Sequence, residues 1–357
     1  MDGLGVRDVD CGRAMSARDI TPSSPLRIDR LSLADSLALM RGDVHPLGAL
    51  GYGTPTGIAW MPSVDAQVLL GGLPSADVWQ TRLPVTSGVV GCVRWRSDGH
   101  WVLGTIDLDE GAEPEGLAAL AERAYRDLFQ TLDATGCTHL QRIWNYLPQI
   151  NGDGGGLERY RQFNLGRQRA FIAAGRAAFE GAPAACALGI RQGTLGVRFL
   201  AGRRAPLPVE NPRQVSAYRY PSIYGPSAPT FSRAALAELG EGQVALFISG
   251  TASIVGHETV HVGDVHAQTR ETLSNLRAVI AAAHAHGSAR FALADLHGVV
   301  YIRHIADAPA VRQLLAEAVG PDAPLVRDAV FLEADICRQD LLVEIEAHAV
   351  SAGALHA

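Results

Sequence analysis

Apolar and polar residues alternate through 88-GVVGCVRW-95 and again through 101-WVLGTIDL-108, with Ser97-Asp98-Gly99 between them. A period of two interrupted by turn residues predicts a hairpin over about 84–108. The period then lengthens. In 115-EGLAALAERAYRDLFQTLDATG-136 the apolar positions recur at helical spacing and end at a glycine, which predicts a helix. A strand over 140-LQRIWNYLP-148 and a second helix over about 156–180 follow. The same order returns in 243-QVALFISGTASIV-255, 267-AQTRETLSNLRAVIAAAHAHG-287, 298-GVVYIRHI-305 and a helix over about 308–318. Each half of the chain therefore reads as strand pair, long helix, strand, helix and strand.

The stretch 341-LLVEIEAHAV-350 has the apolar character of a core strand but contains two glutamates. Alternation places Leu342, Glu344 and Glu346 on one face and Val343 and Ile345 on the other. A solvated face is the ordinary fate of such glutamates, because Glu is seldom buried. Between the two halves, residues 202–233 are rich in Pro, Tyr and Arg. Helix propensity there is poor, and the segment is too aromatic for a plain linker.

At 357 residues the chain is long enough for two ordinary domains or one large one. Its 47% hydrophobic and 19% charged residues fit a soluble globular protein. The net charge of −6, with basic residues scattered, leaves no footprint for nucleic acid. A local group of arginines could still bind a small anion. Cys11, Cys92, Cys137, Cys186 and Cys337 are odd in number and include no CxxC pair, which argues against a disulfide framework or zinc ribbon and for a cytoplasmic location. No leader pattern opens the chain and no apolar run spans a membrane, so no membrane partner is expected. Residues 1–24 are expected to form a mobile tail.

Three other signals carry less. His257, His261 and His266 lie close in sequence, but no Cys or carboxylate joins them at zinc-like spacing. The glycines of 152-GDGGG-156 lack the Lys-Ser/Thr of a phosphate loop. Ser249 sits in no Gly-x-Ser-x-Gly elbow.

Four stretches in order, 248-ISGTASI-254, 264-DVHAQTRETLSNLRAVIAAA-283, 299-VVYIRHIADAPAV-311 and 341-LLVEIEAHAV-350, resemble the Rid/YjgF fold. Adding 210-ENPRQVSAYRYPSIYGPSAPTFSR-233, 334-ADICRQDLLVEIEA-347, 144-WNYLPQIN-151 and 158-ERYRQFNLGRQRAF-171, residues 25–350 are similar to the chorismatases, in which two Rid-like halves share one chain. The resemblance implies an α+β fold in which each half is a mixed β-sheet with helices packed on one face. The implied division is a tail over 1–24, an N-terminal half over 25–201, a connection over 202–233 and a C-terminal half over 234–357 that holds most of the active site. The Arg-x-Cys signature of Rid deaminases is absent, since the local sequence is Asp335-Ile336-Cys337-Arg338. Imine deamination is correspondingly disfavoured.

Chorismatases release pyruvate from chorismate with no metal or organic cofactor, giving either a hydroxybenzoate or a dihydroxy-cyclohexadiene acid. The enolpyruvyl ether breaks most easily once its methylene carbon is protonated, and this requires an acid. By the resemblance Glu344 points into the pocket and serves as that acid, while Glu346 is expected to face solvent. Burial would raise the carboxyl pKa from about 4.3. A Cys seven residues before the glutamate and a Gly in the Ser-Gly motif, here Cys337 and Gly250, resemble the 3-hydroxybenzoate-forming branch. Two substrate carboxylates call for arginines. Arg213, Arg219 and Arg303 are the candidates, with Arg161 and Arg167 behind them, and Tyr218, Tyr220 and Tyr224 as ring walls. The expected activity is formation of 3-hydroxybenzoate, with 4-hydroxybenzoate as a further product. A diol-forming hydrolase and a non-catalytic Rid-like binding protein remain as alternatives.

Overall fold

A computed structural model describes residues 26–39, 45–53, 57, 58, 60–70, 75–112, 116–191 and 193–356. The tail expected over 1–24, including Cys11, lies outside the described residues. The first elements are β1 (Arg27–Ser32), α1 (Leu33–Ala38), β2 (His45–Tyr52), β3 (Ser63–Val64) and β4 (Ser75–Thr81). They form a four-stranded sheet in the order β1-β4-β2-β3. Alternation could not reveal it. Seven of the eight residues of β2 are buried, so the strand lacks a polar face to set the period.

A larger sheet comes next, from β5 (Thr86–Val90), β6 (Val93–Ser97), β7 (Trp101–Leu108), α2 (Gly116–Thr135), β8 (His139–Pro148), α3 (Arg159–Ala173), β9 (Ala184–Ile190) and β10 (Leu195–Gly202). The hairpin expected over 84–108 is in fact three strands. Val90 pairs with Val93 across a tight turn at Gly91-Cys92, where Gly91 has a φ of +54° and the Cys92 amide donates to Asp127 Oδ2 at 3.0 Å. A glycine inside an alternating run was therefore a turn signal. The helix expected over 156–180 is shorter, ending before Gly175 at φ +61°.

The last third supplies β11 (Leu207–Val209), β12 (Ala234–Gly240), β13 (Gln243–Ala252), β14 (Ile254–Val255), β15 (Glu258–Thr259), α4 (Val265–Ala283), β16 (His297–Ile302), α5 (Ala308–Val319), α6 (Pro324–Arg327), β17 (Val330–Glu333), β18 (Asp335–Ile336) and β19 (Val343–Ala352). Six of these strands form a sheet ordered β11-β12-β13-β19-β16-β17, while β18 extends the other large sheet as β18-β9-β8-β10-β7-β6-β5.

Side-chain alternation sorts each large sheet into an inner and an outer face. Outward residues such as Ile143 and Leu147 pack on α2 and α3. Val300, Val343 and Ile345 pack on α4 and α5. Trp144, Tyr146, Cys186 and Leu188 of one sheet meet Phe247 and Tyr301 of the other, with Leu47, Tyr52 and Trp79 of the four-stranded sheet closing the same core. The fold is α+β, with helices on one face of each large sheet, as expected. Among the described residues no helix is long and apolar enough to cross a membrane. Because Val343 and Ile345 face the helices, Glu344 and Glu346 must enter the layer between the sheets.

Candidate active site

Glu344 lies on the wall of a cavity of about 600 Å³, together with Gly250, Cys337, Tyr220 and Tyr224. These residues come from widely separated parts of the chain. Their convergence depends on a few fixed backbone positions. Gln268 on α4 accepts from the Leu342 amide at 2.8 Å and donates to the Asp340 carbonyl at 2.8 Å, which sets where β19 begins. On β13 the register against β19 slips between Ile248 and Thr251. A bulge of this kind re-aims the strand beside it.

The Ser249-Gly250 pair sits at that bulge. Ser249 Oγ donates to the Ser232 carbonyl at 2.5 Å and accepts from the Ala185 amide at 2.9 Å, joining the two large sheets. Gly250 leaves space for the acid. A Cβ built there would overlap Glu344 Oε1 and lie 2.7 Å from its Cδ, with Cys186 Cβ a further 3.3 Å contact. Gly250→Ala is therefore expected to turn the Glu344 carboxyl away and lower kcat by about 10²-fold. Steady-state kinetics with a far-ultraviolet spectrum as the fold control would check this.

Glu344 is only 3% exposed. Burial first, and the charge of Glu346 second, push its pKa up to about 8, against the pull of Arg142 and Arg233. At neutral pH it is a carboxylic acid able to donate a proton. Burial and the neighbouring Glu344 push the Cys337 thiol up to about 12, so it stays protonated as well. The expectation that Glu346 faces solvent is overturned. Glu346 is 3% exposed, paired with Arg142, and accepts from Tyr301 OH at 2.8 Å. Its partner Arg142 comes from the opposite sheet, which removes the need for water around the charge.

The expected arginines are not those at the cavity. Arg303 donates to the carbonyls of Leu341, Ile336 and Arg338 and to Asp335 and Asn151, gathering the loop that carries Cys337. Arg213 ties the connection to α4 through Asn275 at 2.6 Å and Glu271 at 2.7 Å. Arg219 is exposed, its guanidinium 5.7 Å from the Tyr218 ring centroid. Neither it nor Tyr218 lines the cavity. Arg167 is buried behind the wall and donates to Asn164 at 2.9 Å.

The cations on the cavity wall are Arg161, Arg233 and Arg338, two of which the sequence reading missed. Arg161 is paired with Glu158 at 3.1 Å. Arg233 donates to Tyr220 OH at 2.7 Å and to the Val215 carbonyl. Arg338 packs over the rings of Tyr224 and Tyr220, at 4.1 and 5.1 Å from their centroids. Arg233 Nε and Arg338 Nη2 have no hydrogen-bond partner among the described residues, and neither side chain forms a salt bridge there. Arg338 also donates to the His257 carbonyl at 2.8 Å and to Thr259 Oγ1 at 3.3 Å, and the uncompensated charge of both arginines on the cavity wall suits them to an incoming anion. Arg338 directly follows Cys337 and Arg233 closes the Tyr-rich connection, and their adjacency to other candidates was the only signal available. Tyr160 and Phe231 complete the wall.

A neutral carboxylic acid sharing a cavity with two guanidiniums that have no salt-bridge partner among the described residues, and with aromatic walls, defines a pocket that can protonate a small anionic molecule. Residues 77–201 match the family model described as chorismatase FkbO/Hyg5-like, N-terminal. A 3-hydroxybenzoate synthase from Streptomyces hygroscopicus is 41% identical over 287 residues, covering 76% of this chain and 81% of that protein. A chorismatase from Streptomyces rapamycinicus is 40% identical over 280 residues, with the same coverage. A chorismatase crystal structure superimposes with a TM-score of 0.80 at 31% identity, covering 92% of this chain and 99% of that one. The chain belongs to the chorismatase family.

Proposed function

We propose that this chain converts chorismate to 3-hydroxybenzoate and pyruvate, with Glu344 as the general acid. One observation carries the reading: Glu344 is buried on the cavity wall with its pKa pushed up to about 8, so that it holds a proton where an anionic ether would bind. Arg338 and Arg233 take the two substrate carboxylates, and Tyr220 and Tyr224 flank the ring.

Glu344 gives its proton to the terminal methylene carbon of the enolpyruvyl group. The substrate's own ring hydroxyl adds to the resulting oxocarbenium carbon in place of water and gives up its proton. The bond from that oxygen to the ring then breaks, so that it leaves as part of pyruvate, while the former ether oxygen stays on the ring and takes the proton back. The ring then loses one carbon-bound proton as it becomes aromatic. One proton enters and one leaves, so Glu344 ends the cycle in its acid form. Cys337 stays a thiol in the resting protein, which suits it to relay rather than to nucleophilic attack. It takes the ring proton while passing its own to the Glu344 carboxylate. Protein incubated with chorismate is expected to give 3-hydroxybenzoate and pyruvate in equal amounts, separable by chromatography. A diol product would replace this reading with hydrolysis, and pyruvate no faster than the spontaneous background would replace it with a binding protein.

A further inference from the structure

Glu346 does not line the cavity, yet it is a charged group fixed beside the acid. We propose that Glu346 is a positioning residue that holds Glu344 in its acid form, acting through the negative charge that Arg142 and Tyr301 fix on the same face of β19. This inference rests on Glu344 being the proton donor of the reading above.

The geometry is that of a strand. Residues two apart on one face are about 7 Å apart, and each of the two is only 3% exposed, so little solvent screens one carboxyl from the other. Glu346 cannot swing away. Arg142 of β8 pairs with one of its oxygens and Tyr301 of β16 donates to the other at 2.8 Å. Tyr301 is in turn within 3.0 Å of Tyr146 OH, and the Arg142 guanidinium lies 5.4 Å from the Trp144 ring centroid. The pair is therefore braced from both large sheets.

Of the other carboxylates near Glu344, Glu158 on the cavity wall is paired with Arg161 at 3.1 Å and Asp153 is exposed to solvent, which screens its charge. Glu344 meets Arg233 from the connection, Cys337 from the loop after β18, Cys186 from β9 and Tyr160 from α3. Both thiols and Tyr160 are held protonated, with burial the leading cause. Around Glu346 stand Tyr52, Tyr146 and Tyr301, all raised by burial first. Arg30 and Asp77 are paired at 2.8 Å. His348 is lowered to about 4, and His297 is lowered too, by burial in each case. At neutral pH the fixed charges around Glu344 are thus Arg142, Arg233 and the cavity-lining Arg338 on the positive side and Glu346, paired with Arg142, on the negative. Removing Glu346 would release Arg142 from its pair and leave only positive charges, which favour the carboxylate.

The test is an infrared titration of the Glu344 carboxyl, identified as the C=O band lost in Glu344→Gln, read together with the pH profile of kcat. In Glu346→Gln the midpoint is expected to fall by about one to two pH units, with kcat lost at pH 8 but retained at pH 6. In Glu346→Asp, which keeps the charge, the midpoint is expected to stay near that of the parent protein. A merely structural Glu346 would instead lower kcat at every pH without moving the midpoint, and that result would overturn the proposal. If Glu346→Gln fails to fold, the double variant Arg142→Met/Glu346→Gln removes both members of the pair. Its midpoint is expected to fall by a smaller amount, and an unchanged midpoint overturns the proposal. A parent protein whose carboxyl titrates near pH 8 without turning over chorismate would contradict the proposed reaction and leave this inference standing. A carboxyl already ionised at pH 6 would end both.

Discussion

Glu344→Gln is expected to lower pyruvate release from chorismate by about 10²–10⁴ at pH 7, with little change in KM. Glutamine keeps the shape and a hydrogen-bond donor but has no acidic proton to place on carbon, so the loss falls on kcat. The same substitution has a signature in stability. The Glu344 pKa is raised from 4.5 to about 8 in the folded protein. Between those values the native state holds a proton that the unfolded chain releases. The stability of the parent protein should therefore be highest below pH 4.5 as far as this group is concerned, decline through the window, and level off above about 8. Glutamine removes that decline. Urea unfolding at pH 5 and pH 8.5 is expected to show Glu344→Gln gaining on the parent at the higher pH, on the order of a few kcal/mol. A solvated Glu344 would produce neither effect.

Arg338→Met is expected to reduce kcat/KM for chorismate by about 10²-fold or more, mainly through KM, the range seen when one partner of a buried charge pair is removed. Methionine preserves much of the packing against Tyr220 and Tyr224 while deleting the charge. Arg303→Met is the informative contrast. Its guanidinium holds three backbone carbonyls and two side chains of its own chain, so its loss should show first in unfolding midpoint. If Arg303→Met raised KM without loss of stability, while Arg338→Met left KM unchanged, the assignment of the anion site would be wrong.

Glu344 was legible in the sequence as a candidate and its setting was not. Period-two alternation in 341–347 put it on the face opposite Val343 and Ile345, which pack on the helices, but that its own face meets a cavity followed only from the family resemblance. Glu346 obeys the same alternation, but its burial depends on Arg142, which lies 204 residues earlier on the opposite sheet. No local pattern encodes that pairing. The arginines follow the same rule. Arg303 and Arg213 looked suited to an anion because the residues that occupy them, Asp335 and Glu271 among them, are neighbours only after folding. The four-stranded sheet escaped notice for a different reason. Leu47, Leu50, Tyr52 and Trp79 are buried in a shared core, and strands covered on both faces carry no polar period to read. Gly250 was legible as a glycine in a Ser-Gly motif, but the collision it avoids with Glu344 appears only across the β13–β19 pairing.

The most direct test of a protonated Glu344 is the pH dependence of kcat for chorismate in the parent protein. The carboxylic acid described here predicts a plateau through neutral pH and a tenfold fall per pH unit above about 8. Turnover that rises from pH 5 and reaches its plateau only above pH 7 would require the ionised form and would contradict it.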